Sequence, residues 1–79
     1  MNASDVSRRT DSATLQLNGK EIESTAATLV ELLAEQGLDP AKPGIAVALN
    51  DSVIPRSTWT DCRINGGDRV EIITAMQGG

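Results

Sequence analysis

The chain contains no His, Phe or Tyr, and only one Cys and one Trp among its 79 residues. Without imidazole, neither His-based acid–base catalysis nor a His/Cys zinc site can be assembled. A lone thiol closes no intrachain disulfide and holds no iron–sulfur cluster. Positive charge is also scarce: seven Lys or Arg against eleven Asp or Glu give a net charge of −4. No basic stripe offers itself to a phosphate backbone, so nucleic acid is not an expected partner. No apolar run approaches the roughly 20 residues that span a bilayer, and no apolar signal core stands at the N-terminus. The expectation is a cytoplasmic protein without a membrane partner. With 39% hydrophobic residues over this length, the chain has room for one small core.

Residues 1–13 hold a single large aliphatic, Val6. Such a segment cannot offset its own ordering entropy, and a disordered N-terminal arm is expected there. Its charges cancel, Asp5 and Asp11 against Arg8 and Arg9, which leaves nine acids and five bases on the rest of the chain. The arginine pair is too short a basic run to read as a targeting signal.

A single domain is expected over 14–75. Leu15 and Leu17 alternate with polar residues, Asn18-Gly19 follows, and Ile22 stands between Glu21 and Glu23. Asn and Gly tolerate the positive φ of a tight primed turn, so this segment reads as a hairpin. Thr28 then precedes an apolar run with Glu31 three positions on, the spacing of a capping box, and Gly37 supplies a left-handed stop. In that helix Ala26, Leu29, Val30 and Leu33 fall on one face, while Glu31 and Glu35 are expected in water. Pro40, Pro43 and Gly44 bring the chain back to Ile45–Leu49, an interior strand with large side chains on one face and alanines on the other. Asn50-Asp51-Ser52 reads as a turn. Val53 and Ile54 read as a short edge strand ended by Pro55, which has no N–H for a ladder. After Asn65-Gly66-Gly67-Asp68, residues 70–76 read as the last strand, with Val70, Ile72 and Thr74 on one face.

The last strand runs into Gln77-Gly78-Gly79. Glycine packs no side chain and loses the most backbone entropy on ordering, so a projecting flexible tail is expected over 76–79. Four extended residues reach at most about 13 Å, and without Cβ atoms little obstructs Gly78 and Gly79 from threading into a partner's pocket. The α-carboxylate of Gly79, with an unperturbed pKa of roughly 3.3–3.7, is ionised at neutral pH and able to attack an activated phosphate. A glycine pair by itself is also what a frayed end looks like; the preceding pattern gives it a different meaning.

From Leu15 to Gly79 the sequence resembles the ThiS family of thiamin-biosynthesis sulfur carriers. The resemblance rests on Leu15-Gln16-Leu17-Asn18-Gly19, on Thr28-Leu29-Val30-Glu31-Leu32-Leu33, and on Val47-Ala48-Leu49-Asn50 with Val53-Ile54-Pro55-Arg56. It continues through Trp59, Gly67-Asp68-Arg69-Val70-Glu71-Ile72 and Gly78-Gly79. It implies an α+β, ubiquitin-like β-grasp fold: a mixed sheet of four or five strands packed on one helix, with first and last strands adjacent and parallel. It further implies that Gly79 is adenylated by a ubiquitin-activating-like enzyme that uses ATP. The glycine then receives sulfur by a cysteine-desulfurase route and, as a thiocarboxylate, donates it to thiazole synthase. The chain itself would be no enzyme and would bind no cofactor. Residues before Ala13 have no counterpart in the family pattern.

Other readings of the same tail are the small subunit of molybdopterin synthase, a sulfur carrier for cysteine biosynthesis and a ubiquitin-like modifier. A non-reacting β-grasp binding module is a further alternative. Cys62 and Trp59 attract attention as a nucleophile and a partner anchor, yet each reads more simply as a packed side chain. Glu21, Glu23, Glu31 and Glu35 read as a solvated surface that could steer a basic partner.

Overall fold

A computed structural model of the chain describes residues 12–75. Residues 1–11 of the arm expected over 1–13, and the tail residues 76–79, Gly78 and Gly79 among them, lie outside the described residues. Five strands and one helix follow in order: β1 (Ala13–Leu17), β2 (Lys20–Ser24), α1 (Leu29–Glu35), β3 (Ile45–Leu49), β4 (Ser52–Val53) and β5 (Arg69–Thr74), with a 3-10 turn at Arg56–Thr58 before β5. The sheet order is β2-β1-β5-β3-β4. β1 and β5 run parallel while every other neighbour is antiparallel, the mixed sheet that the family resemblance implies.

Local chemistry sets each corner. Asn18 and Gly19 hold φ of 52° and 83°, which lets Leu17 face Lys20 across a two-residue turn. Asn50 and Asp51 repeat the device with φ of 51° and 74° between β3 and β4. Ser52 therefore opens β4 rather than closing the turn, and Ile54 lies beyond the strand. Ala13, expected in the arm, is the first residue of β1 because it pairs with Ser24. The last strand starts at Arg69 and ends at Thr74; Val70 and Ile72 are buried, and Thr74, next along the same face, is exposed.

The helix begins as its capping box requires. Thr28 Oγ1 accepts from the Glu31 amide at 3.3 Å, and Glu31 Oε1 accepts from the Ala27 amide at 2.8 Å, one residue before the cap. At the other end the Gly37 amide donates to the Ala34 carbonyl and the Leu38 amide to the Leu33 carbonyl, with Gly37 at φ 79°. This is a Schellman closure, and it confines α1 to seven residues. The buried helix face is Leu29, Leu32 and Leu33, with Val30 only half-buried. All four residues of the expected stripe pack on the core, Ala26 from the preceding connection, and Leu32 widens the covered face. Glu35 is exposed, as expected, and it also accepts from the Ser24 hydroxyl at 2.6 Å and from the Thr25 hydroxyl at 3.1 Å, so it ties β2 to the helix.

The helical leucines pack with Leu15, Val47, Trp59, Ile64, Val70 and Ile72 in one core. Trp59 is 2% exposed and its indole donates to the Ile54 carbonyl at 2.9 Å, which makes the only aromatic side chain a core plug. No described helix is long and apolar enough to cross a membrane.

Candidate functional site

The tail expected to carry function leaves from β5, which lies mid-sheet between β1 and β3. The strand is therefore held from both sides, up to Ile72 on the β1 side and as far as Ala75 on the β3 side. On the β3 side the ladder pairs Ile45 with Thr74 and continues one step further, where the Ala75 amide donates to the Gly44 carbonyl at 2.7 Å. Gly44 holds φ 89° there, a conformation in which an L side chain is strained. On the β1 side the parallel register covers only Gln16↔Arg69 and Leu17↔Val70 before the chain turns. Past that point the Asn18 side chain stands in for a strand: its Oδ1 accepts from the Ile72 amide at 2.8 Å and its Nδ2 donates to the Ile72 carbonyl at 3.2 Å. The Asn18 backbone amide donates to Val70 in the same row.

The N-terminal end of β5 is held in a comparable way. Asn50 exchanges hydrogen bonds with Arg69, its amide donating to the Arg69 carbonyl at 2.7 Å and its Oδ1 accepting from the Arg69 amide at 2.9 Å. Asp68 accepts from the Asn50 side chain and from the Asn65 amide. The Arg69–Asp51 ion pair at 2.8 Å is exposed on both sides and adds little beyond geometry.

Around the tail root lie two further features. A cleft of about 380 Å3 opens beside Ala75 and Thr74, walled by Leu38, Lys42, Pro43 and Ile45. On the sheet face turned from the helix, Ile73 is 64% and Val53 77% exposed, with Ala46 and Ala48 between them in the ladder.

The remaining sequence candidates separate clearly. Cys62 is half-buried against the core, and its thiol pKa is raised, first by burial and then by the charge of Asp68. It stays protonated at neutral pH, a poor state for a nucleophile. Its carbonyl has a structural task, accepting the Leu29 amide at the start of α1. Among the described residues no three His, Cys, Asp or Glu side chains converge as metal ligands. Gly78 and Gly79 lie outside the described residues, and the structure positions the strand that leads to them. Sequence reading missed Asn18 as a ladder element and Gly44 as the partner of Ala75; neither gives a signal of its own, since a turn role already explains each.

Comparison with known proteins follows the same outline. The model of the ThiS family matches residues 12–79. A thiazole synthase from Paramagnetospirillum magneticum is 38% identical over 66 residues, which cover 82% of this chain and 20% of that protein. The chain thus spans one fifth of that relative's length. The sulfur carrier protein ThiS of Escherichia coli is 31% identical over 62 residues, covering 78% of this chain and 92% of the relative. Among solved structures, the thiamine biosynthesis protein ThiS from Geobacter metallireducens superposes with a TM-score of 0.65 at 30% identity, over 84% of this chain and 99% of that one.

Proposed function

The chain belongs to the ThiS family, and from that membership we propose that it carries sulfur for thiamin thiazole formation as a thiocarboxylate on Gly79. The observation that carries this reading is the single family match that runs from the first β-strand through Gly78 and Gly79. The named relatives of similar length are sulfur carriers, which supports a carrier rather than an enzyme.

The chemistry then belongs to the tail and to partners. A Gly79 carboxylate oxygen attacks the α-phosphorus of ATP on an adenylating enzyme, and pyrophosphate leaves. The outer sulfur of a persulfide, formed by a cysteine desulfurase, attacks the acyl carbon of the adenylate and AMP leaves. A thiol cleaves the resulting acyl disulfide to the thiocarboxylate, whose sulfur passes to thiazole synthase. The domain contributes recognition and a fixed exit for the tail. A segment resembling this chain within a relative named thiazole synthase supports that synthase as the acceptor. The sulfur carrier names of the other relatives favour the thiamin route over the molybdopterin one.

The test is the intact mass of the untagged chain after incubation with ATP, an adenylating enzyme, a cysteine desulfurase, cysteine and a thiol reductant. The expected product is heavier by the exchange of one oxygen for sulfur, with the change on Gly79 by fragmentation. An unchanged mass, under conditions that convert a control carrier, refutes the reading.

A further inference from the structure

Arg56 is exposed, in the short 3-10 turn after β4, and a solvated arginine there would keep its rotamer freedom. It is instead directed at one loop. Its guanidinium donates to the carbonyls of Pro40 and, at 2.8 Å, Lys42 on the α1–β3 connection and, at 3.5 Å, to that of Ile45 at the start of β3. Its Cζ lies 4.6 Å from the centroid of the Trp59 ring. Trp59 is in turn immobilised in the core and bonded to Ile54. The planar fork of arginine suits this task, since it spans several acceptors while stacking on an aromatic face. The loop so held ends at Gly44, whose carbonyl accepts the Ala75 amide at 2.7 Å.

We infer that Arg56 is a positioning residue for the root of the carboxyl tail: by fastening the 40–45 loop to Trp59 it holds the Gly44 carbonyl on the Ala75 amide and so fixes the residue from which the tail continues. Group transfer is sensitive to misplacement on the ångström scale. The catalytic consequence rests on the proposed adenylation of Gly79; the structural consequence at Ala75 does not.

The test compares the full chain with Arg56→Ala and Arg56→Lys. Amide exchange is followed residue by residue by NMR, and adenylation by ATP–pyrophosphate exchange with varied carrier. Lysine keeps the charge but has no planar fork, so both variants are expected to behave alike. Exchange at Ala75 rises several-fold while the Ile72 amide, held by Asn18, stays protected, and kcat falls about tenfold or more with KM for the carrier unchanged. Unaltered exchange at Ala75 overturns the inference, as does faster exchange with unchanged kcat. A raised KM at constant kcat also overturns it, since that marks Arg56 as a docking contact. If the unaltered chain is not adenylated at all, the proposed function fails, and the exchange data still decide whether Arg56 fixes the tail root. Loss of protection throughout the sheet in both variants overturns the inference in favour of a general stabilising role.

Discussion

Replacing Asn18 by glycine separates two tasks that one residue performs. Glycine accepts the φ of 52° that Asn18 adopts, so the hairpin turn survives. The side-chain amide, however, is lost, and with it both hydrogen bonds to Ile72. A buried polar group stripped of its partner costs about 1–3 kcal/mol. The Ile72 peptide groups are part-buried, so water recovers some of that, and about 1 kcal/mol for each of the two groups is the reasoned figure. The sum, about 2 kcal/mol, corresponds to a fall in Tm of about 8–16 °C for a domain of this size. The single Trp is buried in the core and reports unfolding by fluorescence without any label. Urea and thermal transitions should both show the loss. Asn18→Asp should be at least as unstable at neutral pH, because a carboxylate accepts from the Ile72 amide but repels its carbonyl. A glycine variant within about 0.5 kcal/mol of the parent, or one whose Ile72 amide stays as protected from exchange, refutes the argument that a side chain extends the β1–β5 ladder.

Three further outcomes are expected. Leu32→Ala should destabilise by about 2–5 kcal/mol in urea, because a fully buried side chain is removed from beneath the sheet, whereas Val30→Ala at the half-buried position should cost clearly less. Glu35→Ala should cost about 1 kcal/mol by the same measurement, through the lost bonds to Ser24 and Thr25; a neutral result would show that these bonds add nothing to an exposed carboxylate. With its pKa raised by burial and Asp68, Cys62 carries less thiolate than a free thiol at any pH below its own pKa. Its reaction with a thiol reagent near pH 8 should be slower in the folded chain than in urea, and Asp68→Asn should recover part of the difference.

Much of the fold was legible because its signals are local. The paired positive-φ turn at Asn18-Gly19, the Thr28–Glu31 cap and the Gly37 stop each depend on residues within one turn of chain, where steric and hydrogen-bond preferences are nearly independent of the rest. Alternation likewise located β1, β3 and β5. The errors lie where extent or partner is decided elsewhere. The helix buries Leu32 more deeply than Val30, although both pack on the core, because the sheet beneath it decides how wide the covered face is. Ala13 joins β1 because Ser24 is opposite it, a pairing invisible from residue 13 itself.

The same division runs through the candidate site. Composition excluded metal-cluster and imidazole chemistry, and the order of motifs ending in Gly78-Gly79 identified the family and the residue expected to react. Those inferences need only residue types and their sequence. How the tail root is held was decided by tertiary contacts: Asn18 on Ile72 across 54 positions, Arg56 on the 40–45 loop, and Gly44 on Ala75. Hydrogen bonds between distant segments depend on three-dimensional register, and register is a property of the assembled sheet, not of any one stretch of chain.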